Sequence, residues 1–224
     1  VYSIGNFSTF RCAEQIRNDV DYHNFPVTIV AAGSGVGYGN LGYSHHLLQD
    51  YGLIRSFPNM LIAAPGDNSE LKSCMNFLSK KPMPSYIRLE KSLEYNIHEK
   101  TLQIKPGKIY SIYKPMKKKK YDRAYLTTGP VINFLINKIK FLKIPQYPIY
   151  SLPLWGMKFK IQNIEILKKY KEIIVVEDHL KNCGFFSWIS ENNFFKNIKS
   201  FSLSSEVIGK VGSQKYLMNF LKKK

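Results

Sequence analysis

Long apolar runs are absent from this sequence of 224 residues. None approaches the roughly 18 to 20 residues that a membrane-spanning helix needs, so no membrane partner is expected. Cysteine is scarce too. Cys12, Cys74 and Cys183 are odd in number, far apart and without a Cys-x-x-Cys spacing, which argues against a disulfide scaffold or a cysteine metal site and predicts buried thiols. Acidic residues are few, 16 against 33 Lys and Arg, and leave a net charge of +17. Such an excess ordinarily suggests phosphate-rich partners, because bound Lys and Arg release counterions from phosphates. Here lysine dominates arginine and travels with Asn and Ile, the mixture of an AT-rich coding sequence. Lys117 to Lys120 and Lys222 to Lys224 read as a solvated turn and a tail, with no aromatic residues interleaved. No nucleic-acid partner is expected. The first residues lack the basic start of a signal peptide, so the chain is expected to be soluble and cytoplasmic. It opens on Val1, not methionine, as a piece of a longer product would.

What is present is 44% hydrophobic composition, enough for ordinary cores, in apolar runs of five or six residues alternating with segments of helical period. That alternation predicts an α/β fold, parallel strands joined by crossover helices. Strands are expected at Val27 to Ala32, Met60 to Ala64 and Ser85 to Leu89, with helices at Ala13 to Asp21, His45 to Tyr51 and around Leu71, Cys74, Met75 and Leu78. Asp67, Asn68 or Ser69 would cap the last of these. Residues 1–92 thus read as the later part of a domain, with only three strands and an exposed sheet edge that invites aggregation or a partner. Residues 93–105 read as a linker. Residues 106–224 repeat the alternation. Strands are expected at Ile109 to Ile112, Ala124 to Thr127, Pro148 to Leu152, Ile173 to Glu177 and Ser200 to Leu203. Helices would carry Val131, Leu135, Ile139 and Leu142, then Ile161, Ile164 and Leu167, then span Gly184 to Asn192 and Ser213 to Leu221.

Chemistry-bearing residues cluster at strand ends. Gly33, Gly35, Gly37, Gly39 and Gly42 follow the strand ending at Ala32 and lead to Ser44, His45 and His46. The carboxyl end of a strand leading into a helix start is where open α/β sheets bind anions, but the spacing is neither the dinucleotide fingerprint nor the P-loop. A flexible loop is the competing reading. His45 can donate to a substrate oxygen or move a proton near neutral pH; otherwise it caps or packs. Adjacent His45 and His46 diverge by about 100° on a helix and cannot share a metal. Arg88, at the end of its strand, suits a phosphate or carboxylate, or else pairs with Glu90 or Asp67. Asp178 and His179 offer a catalytic acid and histidine or, on the safer reading, a pair at a domain interface.

Taken together, several strings resemble a known family. Phe7 to Asp19, the glycine loop ending Gly42-Tyr43-Ser44-His45-His46, Pro58-Asn59-Met60, Ala64 to Glu70 and Tyr86-Ile87-Arg88 resemble the pyrimidine-binding domain of the transketolase family. Ala124 to Gly129, Ser151 to Trp155, Val175 to His179 and Gly184 resemble its C-terminal domain. The resemblance covers essentially the whole chain and implies a two-carbon ketol transfer between sugars that uses thiamine diphosphate. In this family the cofactor lies between subunits, and its diphosphate and Mg²⁺ are held through a Gly-Asp-Gly motif and a downstream Asn. This chain lacks that motif. The resemblance therefore implies an N-terminal partner subunit that carries the diphosphate domain and the Mg²⁺ ligands, in an assembly such as a homodimer or heterotetramer. By the same resemblance Phe7 and Phe10 lie where aromatics face the pyrimidine, His45 matches the histidine at the substrate oxygen, and Arg88 matches the arginine that grips a sugar phosphate. The sequence also departs from the pattern. A phosphate-binding histidine of the family falls on Gly33 and a hydroxyl-reading aspartate on Leu41, which implies an altered sugar substrate. The family's catalytic glutamate lies upstream of the Phe7 region, ahead of Val1. Alternatives are a deoxyxylulose-phosphate synthase-like or dehydrogenase beta-like thiamine enzyme, and a non-catalytic assembly subunit.

Overall fold

The computed structural model describes residues 1–91, 96–98, 102–115, 120–141 and 144–223. Strands lie at Tyr2–Ile4 (β1), Thr28–Ala32 (β2), Leu61–Ala63 (β3), Ser85–Leu89 (β4), Tyr110–Tyr113 (β5), Arg123–Thr127 (β6), Ile149–Ser151 (β7), Leu154–Trp155 (β8), Glu172–Leu180 (β9), Ile198–Leu203 (β10) and Leu221–Lys223 (β11). Helices lie at Gly5–Thr9 (α1), Ala13–Gln15 (α2, continued as a wider coil through Asp21), Asp50–Ile54 (α3), Asn68–Lys80 (α4), Val131–Lys140 (α5), Glu165–Lys168 (α6), Phe185–Glu191 (α7) and Gln214–Leu217 (α8). The fold is α/β, as the alternation predicts.

Two sheets form. The first has the order β1-β2-β4-β3-β8 and the second β11-β10-β9-β6-β7-β5. Within the first, β1, β2, β4 and β3 are parallel; in the second, β10, β9, β6 and β7 are parallel, with antiparallel β11 and β5 at its edges. Central β9 shows why the sequence chooses this layout. Eight of its nine residues are buried, the continuous burial of a parallel strand covered on both faces.

The expected exposed edge is not left open on the β3 side. Strand β8, from the second half of the chain, pairs antiparallel with β3, Ile62 opposite Trp155 and Ala63 opposite Leu154. One apolar cluster then runs through both sheets, taking Ile29, Tyr51 and Ile62 from the first half and Leu126, Trp155, Phe185 and Trp188 from the second. Six of the thirteen residues of the expected 93–105 linker lie outside those described, as does Leu142.

Local differences have local causes. The helix expected over His45 to Tyr51 begins only at Asp50, because the backbone of Leu47 donates to Gly35 O (2.7 Å) and holds this stretch against the glycine loop. The helix expected from Ser213 to Leu221 ends early, and Leu221 pairs with Leu203 in β11 instead. The helix around Ile161, Ile164 and Leu167 shrinks to the four residues of α6. Asp67 is the N-cap of α4, its side chain accepting from the Glu70 amide at 2.8 Å. Among the thiols, Cys74 is buried, Cys183 half-buried and Cys12 exposed, so the expectation of buried thiols fails at Cys12.

Candidate functional site

The carboxyl ends of β2 and β4 turn toward those of the second sheet, and the candidate site is built in that crevice in two layers. The outer layer is aromatic. Phe7, on α1, meets the His45 ring edge-to-face at 5.2 Å, and Tyr38 approaches the same imidazole at 6.4 Å. Asn6 fixes the turn that carries His45, its Nδ2 donating to Ser44 O (2.9 Å) and His46 O (2.8 Å). Ser44 Oγ shares a hydrogen bond of 2.9 Å with His45 Nδ1. Two cations border this layer, Arg11 at 4.5 Å over the Phe7 ring and Lys91 at 5.9 Å over the Tyr38 ring. Phe10 is 44% exposed. The structure thus brings Phe7 and His45 together, whereas Phe10 lies on the open surface beside them.

The glycine loop makes this proximity possible. Gly33 has φ +92° and a Cβ there would sit 2.2 Å from the Tyr38 ring. Gly35 has φ +57°, and its Cβ would meet Asp178 O and Oδ2 at 2.8 Å. Both positions need positive φ and close approach at once, a combination only glycine supplies without strain. His46, next to His45, turns inward and is fully buried. Burial and then the charge of His45 push its pKa below the ordinary value, against a weak contact to Gly39 O, so it is a neutral packing residue.

The inner layer is a buried ionic lock. Arg88 has no exposed surface. Its Nε donates to Asp50 Oδ2 (2.9 Å), its Nη1 to Asp178 Oδ1 (2.5 Å) and its Nη2 to Leu47 O (2.8 Å), while its guanidinium lies 4.5 Å over the Tyr51 ring. Tyr86 also donates to Asp50 Oδ2 at 2.8 Å. The assignment of Arg88 to a sugar phosphate is therefore corrected. Its donors are taken up by carboxylates and a carbonyl inside the protein, and no face is left for an anion from solution. The alternative ion-pair reading holds in kind, with Asp50 and Asp178 in place of Glu90 or Asp67.

Asp178 and His179 are the interface pair that the sequence suggests. His179 stacks on Tyr51 at 5.0 Å and donates through Nδ1 to Leu180 O (2.8 Å). Burial, followed by the Arg88 charge, pushes its pKa down to about 3, so the ring is neutral. Glu177 accepts from the amides of Phe185 (2.7 Å) and Phe186 (3.3 Å) at the start of α7. Burial nevertheless raises its pKa to about 8. Sequence reasoning missed Tyr38, which approaches His45, Asn6, which clamps the turn on either side of it, and Lys91, which lies over Tyr38, all brought there by loop geometry, and Asp50, which the expected helix would have placed differently. Among the described residues no group of three His, Cys, Asp or Glu is placed to hold a metal ion, and no helix is long and apolar enough to cross a membrane.

Comparison with known proteins agrees with this architecture. Residues 2–95 match the family model described as the transketolase pyrimidine-binding domain. A relative from Actinobacillus succinogenes, an apulose-4-phosphate transketolase subunit, is 28% identical over 187 residues, covering 83% of this chain and 58% of its own length. A putative transketolase C-terminal section from Methanocaldococcus jannaschii is 27% identical, covering 97% of this chain and 69% of its own. The chain thus spans about three fifths to two thirds of these relatives. In fold it is similar to a split-gene transketolase described as an inactive β4 tetramer, with a TM-score of 0.77, 19% identity, and coverage of 98% of this chain and 70% of that one. These comparisons converge on one family: residues 2–95 match the transketolase pyrimidine-binding domain, and over most of its length the chain is similar in sequence to proteins named as a transketolase subunit or C-terminal section and in fold to a transketolase.

Proposed function

We propose that this chain is the C-terminal subunit or section of a thiamine-diphosphate-dependent transferase that moves a two-carbon ketol unit between sugars, working with a partner that carries the diphosphate and Mg²⁺ site. The observation that carries the reading is the meeting of Phe7 with His45 at the mouth of the glycine loop, inside the matched domain. A half-buried ring beside a solvent-reachable imidazole fits a flat heterocycle with a polar substrate next to it. When bound, thiamine diphosphate supplies the nucleophilic carbon that takes up the two-carbon unit.

The chain's own residues do the rest. Phe7, flanked by exposed Phe10, offers an apolar face to the pyrimidine. His45, braced by Ser44 and by the Asn6 clamp, hydrogen-bonds the substrate oxygen and can hold or release a proton at its Nε2. Recognition of an anionic substrate group passes from Arg88 to Lys91, whose ammonium lies over Tyr38 at the same mouth. The lock of Arg88 with Asp50 and Asp178 keeps the glycine loop and the second sheet in register. The Mg²⁺ ligands are assigned to the partner, and the assembly to a dimer or tetramer in which the two chains meet around the cofactor. The relative named as one subunit of a transketolase and the split-gene fold neighbour described as inactive in its β4 form support a division of labour between chains. The test is ketol transfer by the complete assembly. His45→Ala should lower turnover by about 10²-fold or more, and unchanged turnover would remove His45 from the substrate site.

A further inference from the structure

The fold gathers lysines that lie apart in the sequence. At the amino ends of β9 and β10, a cavity of about 540 Å³ is bordered by Lys168, Lys169, Lys171 and Lys196, which come from two segments 25 residues apart. Two of these ammonium groups have exposed acidic neighbours, Lys168 with Glu165 (2.7 Å) and Lys171 with Asp122 (3.2 Å), and such solvent-facing pairs hold each other weakly. Among the described residues Lys169 and Lys196 form no ion pair. Lys169 instead lies 5.2 Å over the Tyr170 ring. An adjoining hollow shares Lys171 and Asn197 and adds Lys120 and Arg123, but Asp122 and Glu172 line it as well and pair with Lys171 and Arg123, so the unpaired positive charge is concentrated in the first cavity.

The cavity also has aromatic walls. Phe194 and Phe195 meet edge-to-face at 6.4 Å, and Phe194 is braced against the core at Trp188 by a further contact of 6.3 Å. Both rings are half-buried, so they present rigid faces that lose little freedom when something stacks on them. The amides of Asn193 and Asn197 line the same hollow and can read polar ring edges. Lysines alone would favour any polyanion. Lysines around fixed aromatic faces and amides favour a ligand that is both a flat heterocycle and a phosphate. The cavity lies away from the transfer site. From Ile173, which lines it, to Asp178 at the crevice is five residues of extended strand, about 17 Å.

The geometry points to a second binding site, for a phosphorylated nucleoside, with its base on Phe194 and Phe195 and its phosphates on Lys168, Lys169, Lys171 and Lys196. The same chemistry is offered by a free nucleotide and by a nucleotide within a single strand. This site is independent of the thiamine reading and stands or falls without it.

Calorimetry on the full chain at physiological salt tests it with three probes: ATP, inorganic tripolyphosphate and an eight-residue adenylate oligonucleotide. ATP should bind saturably and at least tenfold more tightly than tripolyphosphate. Lys169→Glu with Lys196→Glu should weaken ATP at least tenfold with the thermal midpoint unchanged; if charge reversal perturbs folding, Lys169→Gln with Lys196→Gln should weaken it several-fold. Tighter binding of the oligonucleotide than of ATP assigns the site to a strand, and equal or weaker binding assigns it to the free nucleotide. Absence of saturable binding, an ATP affinity no greater than that of tripolyphosphate, or an affinity untouched in a folded double variant would each overturn the assignment.

Discussion

Replacing Arg88 by methionine probes the joint between the two halves. Met keeps most of the volume but removes the charge, leaving Asp50 and Asp178 facing each other's neighbourhood without a counterion. Asp50 is fully buried and the Asp178 side chain only 7% exposed. Breaking a buried pair by removing one partner costs about 3–5 kcal/mol, because the abandoned charge stays desolvated. The stacking on Tyr51, worth about 1–2 kcal/mol when desolvated, is part of that loss and not an addition to it. For a chain of this size each kcal/mol lowers the melting temperature by about 2–4 °C, so the predicted fall is roughly 8–16 °C for a loss near 4 kcal/mol. Scanning calorimetry with urea titration measures it. The sign of its pH dependence adds a check: carboxyls without a counterion bind protons more tightly folded than unfolded, so the deficit should shrink as pH falls. Adding Asp50→Asn and Asp178→Asn should restore most of the lost stability, since a neutral set costs far less to bury. A loss below about 1 kcal/mol in the single variant would refute the reasoning.

Other predictions rest on separate contacts. Glu177 has its pKa raised to about 8 by burial, so the folded state holds a proton that the unfolded state releases above the ordinary glutamate value. Stability from this group is present at low pH and falls as pH climbs toward 8. Glu177→Gln should flatten that decline by up to about 1.4 kcal/mol per pH unit in urea titrations between pH 5 and 8; an unaltered slope contradicts it. Asn6→Ala frees the turn bearing His45 by removing two hydrogen bonds. It should cost about 1–2 kcal/mol and broaden the His45 imidazole signals in NMR, and an unchanged spectrum would argue that Asn6 does not position the ring. Trp155 is fully buried, contacts Tyr51, Phe185 and Trp188, and donates to Thr128 Oγ1 at 3.0 Å. Trp155→Ala should destabilise by about 3–5 kcal/mol in the same urea experiment, and a loss under 1 kcal/mol would mean that β8 contributes little to the joint core.

The legible parts of the fold are those that local pattern decides. Ser85 to Leu89 is an uninterrupted β-prone run and forms a strand over those residues. The cap at Asp67 is marked by a side chain able to accept from the third helical amide. What escapes depends on distant partners. Strand β8 is two residues long and has no periodicity of its own; it exists because β3 offers an edge. His45 to Gln49 has helical composition, yet its backbone is claimed by Gly35. At the site, the glycine loop and His45 stand out as residue types at a strand end. Arg88 misleads because an arginine that ends a strand looks the same in sequence whether it faces solvent or a buried aspartate 90 residues away.

The central claim is that thiamine diphosphate binds where this chain meets a partner bearing the diphosphate site. The most direct test is calorimetric titration of thiamine diphosphate with Mg²⁺ into this protein alone, and into its mixture with a transketolase N-terminal subunit that carries the diphosphate domain. The account predicts saturable binding in the mixture, weakened by Phe7→Ala, and none to the chain alone. No binding in the mixture, or equally tight binding without the partner, would contradict it.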